Sequence, residues 1–299
     1  MQSLYAIDSL KASIKPKEID AILQLKINQT RNLFCYLIYF TSEVARYAEL
    51  DAHLKASKHL PTAQDLSINT KISGNELLWK IIDNKSFQEV VEKNKFSNDI
   101  NRDLLKKIYN ELILTQEYKE YIETQTREKK SEKKIIEFIF SNLMLPNEEF
   151  IIHLEELFIN WDDDALLMQT LVLNYFNKPT EISFVNILSQ EKADFAKDLL
   201  RTVIEKENYS LELIKPKLNN WDADRIASLD LIILQMGVCE FLYFDTIPTK
   251  VTINEYIDLA KEYSTPQSGQ FVNGLLDNIH KDLMNDNLIS KKQFKNSKI

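Results

Sequence analysis

The chain has 299 residues and a formal net charge of −8 at pH 7, which repels nucleic acids and membrane surfaces alike, so that any RNA contact needs a local patch. With 44% hydrophobic residues it can bury a sizeable core, and its few glycines and prolines favour an all-α fold over a turn-rich β fold. The sequence lacks an apolar run of the roughly 18 residues that span a bilayer, and it lacks a signal sequence at its start. Cys35 and Cys239 lie in apolar runs, as expected of buried thiols in a reducing cytoplasm.

Helical periodicity dominates residues 1–134, which we predict to form an N-terminal helical subdomain. The predicted elements are a first helix over residues 1–13, a long helix from Pro16 to about Ala56, a loop over 61–69, a short helix over 74–83 and a single long helix over 100–126. The run from Arg127 to Lys134 is charged but alternates in sign. It indicates either a solvated helix face or a patch for a partner or RNA.

Residues 135–189 are predicted to form an inserted helical region, with two or three helices punctuated by Pro146 and ending near Pro179. A weak internal echo links this region to the next one. Trp161 and Trp221 are each followed by acids and then by an apolar helix, and acids at a helix start are worth about 0.3–1 kcal/mol each. This internal similarity has two interpretations: two buried helices whose starts are capped in the same way, or a degenerate internal duplication.

Residues 190–285 are predicted to form a C-terminal helical subdomain, beginning with an amphipathic helix over 190–208, and residues 286–299 a disordered, lysine-rich tail. Glu240 stands alone in an otherwise apolar helix, so its carboxylate must be paired. No second titratable residue lies near it in the sequence. We therefore expect a structural role, at the start of a neighbouring helix or against a lysine.

Two further helices are predicted after Pro248. The first begins with a capping box of Thr252 and Glu255, and the second has Thr265 as its N-cap and Pro266 as its first residue. The apolar residues expected to face inward are Ile253, Ile257 and Ala260 in the first of these helices and Val272, Leu275, Leu276, Ile279 and Leu283 in the second.

The start of the last helix carries a small polar surface with one aromatic residue at its edge, formed by Gln267, Ser268, Gln270, Phe271 and Asn273. Amides beside an aromatic ring suit an unpaired RNA base, for which stacking is worth about 1–3 kcal/mol. The alternative interpretation is an ordinary helix start with a half-buried phenylalanine. A glycine inside a helix costs about 1 kcal/mol, so Gly274 predicts a close approach by another backbone or by a ligand.

Four motifs in this region resemble the NusB family of bacterial transcription antitermination factors. They are Trp221 with Arg225 in W-x-x-x-R, the late Glu240 of the buried helix, residues 247–263 in I-P-x-x-V-x-I-N-E-x-[IV]-x-L-A-K-x-Y, and residues 268–277 in S-x-x-F-V-N-G-x-L-D. The opening MQSLYA is also similar to the A-L-Q-x-L-Y segment of the family's first helix. The family's core is much shorter than this chain, so the middle region resembles an insertion.

The resemblance implies an all-helical fold of two subdomains and a function without catalytic chemistry, cofactor, metal, small-molecule substrate or membrane. It implies binding of boxA-like single-stranded RNA together with NusE, the small-subunit ribosomal protein, as part of the transcription elongation machinery. By position, Gln267, Ser268, Gln270 and Phe271 correspond to the family's RNA contacts, with Asn273 beside them, and Asp230 lies near its protein-partner surface.

One departure from the family concerns charge. The family has an arginine-rich stretch before its A-L-Q-x-L-Y segment, whereas here no arginine precedes Arg31. Either the true start lies upstream of Met1, or this chain binds RNA weakly, because phosphate contacts supply much of RNA affinity. The family's acidic residue at the entrance of the last helix is also replaced, by Gln267.

Two other functions remain open from the sequence. One is a helical protein-interaction scaffold that has lost RNA binding. The other is an enzyme or its appendage, as in the ribosomal RNA cytosine methyltransferases that carry a NusB-like fold. The four glycines, the two apolar-flanked cysteines and the four scattered histidines do not supply the glycine-rich loop, reactive cysteines or metal spacing that such chemistry needs.

Overall fold

The computed structural model describes residues 1–10, 16–179, 183–218, 226–265 and 267–291. Every regular element among these residues is a helix, so the predicted all-α class is confirmed. None of the helices that the structure describes is long and apolar enough to cross a membrane.

The chain forms two compact units. Unit 1 comprises Met1–Lys26 and Leu188–Ile299, and unit 2 comprises Ile27–Ile187. This differs from the division predicted from the sequence, in which residues 1–134 formed one subdomain and 135–189 an insertion. The first residues belong with the C-terminal part because Leu4 and Ile19 are buried in the core of unit 1. The middle of the chain forms the second unit with its own core.

The two predicted N-terminal helices are both present. Helix α1 spans Gln2–Leu10 and helix α2 spans Pro16–Ala56, whose first part belongs to unit 1 and whose remainder belongs to unit 2. Residues 11–13, the last of the predicted first helix, lie outside the described residues.

Unit 2 continues with nine helices among its described residues: α3 (Ala63–Leu66), α4 (Glu76–Ile82), α5 (Lys85–Asn94), α6 (Phe96–Asp99), α7 (Arg102–Leu112), α8 (Gln116–Glu123), α9 (Lys129–Phe138), α10 (Glu148–Leu157) and α11 (Trp161–Asn177). A π-helical segment, Ile139–Met144, follows α9. Side-chain oxygens that accept backbone N–H groups begin five of these helices, with Asn75, Asn84, Asn101, Thr115 and Asn147 as the caps.

Two predictions for unit 2 were wrong. The predicted loop over 61–69 contains α3, whose start is held by Asp65 as it accepts the Thr62 N–H at 2.9 Å. The single helix predicted over 100–126 is two helices, α7 and α8. Thr115 breaks it, because its hydroxyl caps the second helix by accepting the N–H of Tyr118 at 3.2 Å.

Unit 1 is completed by five helices among its described residues: α12 (Gln190–Glu205), α13 (Glu207–Ile214), α14 (Ser228–Tyr243), α15 (Thr249–Tyr263) and α16 (Ser268–Asn285). Helix α14 is buried on nearly all sides, as its apolar sequence predicts, and it packs against α1, α12, α13, α15 and α16. Gly237 allows the close approach of α16, since a Cβ there would lie 2.8 Å from Cδ2 of Leu276.

The segment after α16 differs from the disordered tail predicted for residues 286–299. Lys291 donates to the backbone carbonyls of Glu240 and Phe244, at 2.7 Å each, near the C-terminal end of α14. Burial lowers the pKa of this lysine from 10.5. A cation at the carbonyl end of a helix is favourable, and it orders the part of the tail up to this residue. Residues 292–299 lie outside the described residues.

Candidate nucleic-acid interface

Hydrogen bonds between two residues, Thr265 and Ser268, hold the start of α16. The N–H of Ser268 donates to the carbonyl of Thr265 at 2.9 Å, and the hydroxyl of Ser268 accepts the Thr265 N–H at 3.3 Å. The reach of Ser268 back to this N–H is one half of a capping box. The predicted cap by the Thr265 side chain is not formed: its hydroxyl lies 2.9 Å from that of Ser268 instead. Pro266 lies outside the described residues.

Asp230 connects this helix start to α14. Its Oδ2 accepts the hydroxyl of Ser268 at 2.9 Å, and the two residues are only 7% and 3% exposed. Ser268 was predicted to belong to a polar RNA surface and Asp230 to lie near a partner surface. Both side chains are instead buried in unit 1, where their hydrogen bond fixes the start of α16, and their roles in RNA and partner binding stay predictions.

The outer face of α16 carries the remaining predicted residues. Gln267, Gln270 and Asn273 are exposed, and Phe271 is half-buried with its ring packed against the core of unit 1. None of these three amide side chains hydrogen-bonds to any other residue that the structure describes. The structure thus brings together four of the five residues predicted for RNA binding, as amides around the accessible part of an aromatic ring.

Gly274 lies on the same face. It is exposed, and no atom comes within 4 Å of the position that a Cβ would take. At about 100° per residue, it falls between Gln270 and Phe271 around the helix. The prediction of a close approach by another backbone is therefore wrong for the residues that the structure describes. Because Gly274 has no side chain, a notch lies between the amide of Gln270 and the ring of Phe271.

The helices behind this face are held by Glu240. Its Oε1 accepts the hydroxyl of Thr252 at 2.6 Å and its Oε2 the hydroxyl of Tyr256 at 2.9 Å. Burial, and then the neighbouring carboxylate of Glu240, raise the pKa of Tyr256 well above 10.0, so the phenol remains a donor. The carboxylate of Glu240 is thus paired, as expected, but with two hydroxyls inside α15 rather than with a helix start or a lysine side chain; Lys291 meets its backbone carbonyl instead.

Two details of α15 differ from the prediction. The helix begins at Thr249, so Thr252 lies inside it and forms no capping box with Glu255. Its buried face consists of Thr252, Tyr256 and Ala260, whereas Ile253 and Ile257 are only half-buried. The two hydroxyls that bind Glu240 escaped the sequence analysis. The spacing of Thr252, Tyr256 and Ala260, four residues apart, was the signal that could have found them.

The surroundings of the amide face offer little free positive charge. Lys261 and Lys281, which precede and follow it in the sequence, each donate to an aspartate, Asp258 at 3.0 Å and Asp277 at 2.6 Å. Trp221 and Arg225, which the family resemblance also singles out, lie outside the described residues. The face is therefore suited to hydrogen bonding and stacking rather than to neutralising phosphates.

The fold and this face define an all-α protein with a polar, aromatic-edged surface at the start of its last helix. The model of the NusB family matches residues 157–281, which run from the end of α10 to α16. The chain belongs to the NusB family. No solved structure matches it.

Three relatives show the extent of the similarity, and each is named transcription antitermination protein NusB. The Salinibacter ruber protein is 41% identical over 98 residues, which are 33% of this chain and 61% of that relative. The Finegoldia magna protein is 41% identical over 101 residues, 34% of this chain and 74% of the relative. The Listeria monocytogenes protein is 38% identical over 94 residues, 31% and 73% respectively. The chain thus spans less than two thirds of the Salinibacter relative and is longer than all three.

Proposed function

We propose that this protein acts in transcription antitermination by binding boxA-like single-stranded RNA through the outer face of α16, together with NusE and the elongation machinery. Family membership and the names of the relatives support the process. The single observation that carries the site is the pair of exposed amides, Gln267 and Gln270, beside the half-buried ring of Phe271.

The chemistry of this face matches an unpaired base. The amides can both donate and accept, so they can meet the hydrogen-bonding edges of a base that is not paired. The exposed part of the Phe271 ring offers a surface for stacking, and the notch at Gly274 lets a flat group approach the helix backbone. The buried bond from Ser268 to Asp230 holds these groups in place before RNA arrives.

Fluorescence anisotropy with a labelled boxA-like single-stranded RNA, with and without NusE, tests the proposal. Truncating Phe271 to alanine should weaken binding about 5- to 150-fold, the equivalent of about 1–3 kcal/mol per stacked base. Gln270→Ala removes hydrogen bonds worth about 0.5–1.5 kcal/mol and should weaken binding about 2- to 13-fold. Met284→Ala, at an exposed position near the other end of α16, is the matched control and should bind like the wild type.

Gly274→Ala separates RNA contact from stability. The substitution adds one methyl where no protein atom lies within 4 Å, so it should stabilise α16 by up to about 1 kcal/mol. If a base enters the notch, the same methyl should weaken RNA binding. The absence of saturable binding by the wild type, with NusE present, would overturn the proposal.

A different observation favours a second candidate function, a protein-interaction scaffold that has lost RNA binding. Residues 135–177 contain no lysine or arginine. On α10, α11 and the turn between them, Ile152, Ile159 and Leu166 are 53%, 85% and 66% exposed, and exposed acids lie close to them in sequence. Such a surface fits a protein segment that is rich in lysine and arginine and carries apolar anchors.

This scaffold function predicts partner binding that survives ribonuclease treatment and weakens as salt rises. Once a partner is identified, titration of the purified partner against wild type and Leu166→Lys should show the variant binding more weakly. An unchanged affinity, or tight binding of boxA-like RNA by the wild type, would argue against the scaffold.

A further inference from the structure

This inference rests on the proposed RNA binding and concerns unit 2. The charged run from Arg127 to Lys134 alternates in sign in the sequence, but one of its acids does not reach the surface. Glu132 is 2% exposed, and its carboxylate accepts the Tyr121 hydroxyl at 2.8 Å and the Glu76 N–H at 2.7 Å. Arg127 lies 3.3 Å from the same carboxylate and also donates to the carbonyls of Gly74 and Lys71. Both charges thus serve the fold.

Removal of Glu132 from the surface leaves a face of α9 that is dominated by lysine. Lys129 and Lys130 are exposed and Lys133 is half-buried. Lys133 has only a long ion pair, 3.9 Å to Glu137, and Lys129 forms none with the residues that the structure describes. Glu128, just before the helix, is the remaining acid of the run. The alternating sequence therefore yields a positive surface on a chain of negative net charge.

These lysines border a groove of about 180 Å³ between α4, α9 and the end of α11. Its lining includes three lysines, Lys80, Lys129 and Lys133, and three apolar residues, of which Pro179 is exposed, Leu77 is 8% exposed and Phe176 is fully buried. Glu76 and Glu132 also border it, so the three lysines meet one exposed acid and one buried acid, whose charge is already paired with Arg127. Like charges that line one groove repel each other, and a bound anion relieves that repulsion.

Three ammonium groups around an apolar floor match the two halves of one nucleotide. Ammonium groups pair with phosphate oxygens, and an apolar floor accepts the face of an unstacked base. A duplex would hide its bases from such a groove, whereas a single strand can place one base in it. Lys261 and Lys281, the described lysines on either side of the amide face in the sequence, are both paired with aspartates, so an RNA ligand still needs a site that neutralises its phosphates.

We propose that the groove lined by Lys80, Lys129 and Lys133 is a second contact for single-stranded RNA, which holds the phosphates of one nucleotide step and packs its base on the apolar floor. In this arrangement the inserted unit supplies the electrostatic part of RNA affinity, and the face of α16 supplies the contacts to the base.

The test compares two triple variants of the full chain with the same loss of charge. One replaces the groove lysines, Lys80→Gln, Lys129→Gln and Lys133→Gln. The control replaces three exposed lysines of unit 2 that do not line the groove, Lys93→Gln, Lys106→Gln and Lys119→Gln. Anisotropy with a boxA-like single-stranded RNA that carries flanking nucleotides is measured over a series of salt concentrations. Circular dichroism checks that each variant is folded.

The slope of log affinity against log salt is the deciding quantity. Each neutralised phosphate on a single strand contributes about 0.7 to this slope, so loss of contact with the two phosphates of one nucleotide step should flatten it by about 1.4 in the groove variant and hardly at all in the control. Equal slopes for the two variants would overturn the inference, while loss of binding in Phe271→Ala would still support the site on α16. No binding by the wild type would instead overturn the proposed function, and this inference with it.

Discussion

The two units fill their interiors with different kinds of side chain. Unit 2 closes around aromatic rings, and its largest fully buried side chains include Tyr36, Phe40, Phe150, Phe176 and Phe184. Phe40 and Phe150 pack with their ring centroids 4.8 Å apart. Unit 1 is organised around α14, which buries four branched aliphatic side chains and one aromatic ring, and whose Gly237 lets α16 approach closely.

The contrast shows two ways to build an all-α core. Wide rings can bridge the spaces between many short helices, whereas a glycine and branched aliphatic residues let long helices pack against each other directly. Buried carboxylates then fix the neighbours: Asp230 and Glu240 join α14 to α16 and α15 in unit 1, and Glu132 joins α9 to the start of α4 and to α8 in unit 2. The unit in which Gly237 lets two helices approach closely carries the candidate RNA face.

The largest expected effect concerns the aromatic core. Phe150→Ala removes a fully buried ring and should reduce the free energy of unfolding of unit 2 by about 3–5 kcal/mol. Each unit contains one buried cysteine, Cys35 in unit 2 and Cys239 in unit 1, so thiol labelling can follow each unit separately. In a Cys239→Ser background, the Phe150→Ala substitution should strongly accelerate the labelling of Cys35.

Protection of Cys239 in a Cys35→Ser background is the control and should change much less, because the contacts of Phe150 belong to the core of unit 2. Equal acceleration at both thiols would contradict the view of two separate cores.

Burial raises the pKa of each thiol from 9.0 to about 12. The folded state keeps the thiols neutral, so their contribution to stability is present below pH 9 and is lost as the pH rises toward 12.

The next effect concerns the buried carboxylate of unit 1. Glu240→Ala leaves the hydroxyls of Thr252 and Tyr256 without an acceptor, which should destabilise unit 1 by about 1–3 kcal/mol. Chemical denaturation followed by Cys239 labelling measures the change. Glu240→Gln keeps an acceptor and the volume, so it should retain most of the stability. If both variants were as stable as the wild type, the carboxylate would not hold α15.

The smallest effect concerns the close helix approach in unit 1. Gly237→Ala places a methyl 2.8 Å from the buried Leu276, and overpacking costs about 1–3 kcal/mol. The gain in helix propensity, about 1 kcal/mol, offsets part of this loss, so a net loss of about 1 kcal/mol is expected. Gly274→Ala is the matched control in α16 and should raise the melting temperature instead. A rise for both variants would show that α14 and α16 tolerate a wider spacing.

Much of the fold could be predicted because helix periodicity is a local signal. The long α2, the all-round burial of α14 and the apolar stripe of α16 follow from the order of their residues alone. Helix breaks were harder to predict: the capping residue Thr115 divides α7 from α8 through one hydroxyl, inside a pattern that reads as continuous.

The candidate site also has a part that could be predicted from the sequence and a part that could not. The amides of Gln267, Gln270 and Asn273 are exposed as predicted: Gln267 immediately precedes the helix, and helix geometry places Gln270 opposite the apolar stripe and Asn273 on its flank. Ser268 faces inward because Asp230, 38 positions away in the chain, accepts its hydroxyl. No pattern within the segment contains that information.

The sequence by itself determined the helical class, the NusB resemblance and the order of polar and apolar residues along α16, because these depend on residues within a few turns of one another. Only the tertiary structure decided which acids are buried and which lysines line the groove. A carboxylate such as Glu132 leaves the surface when donors from distant segments converge on it, and that convergence depends on how the helices pack.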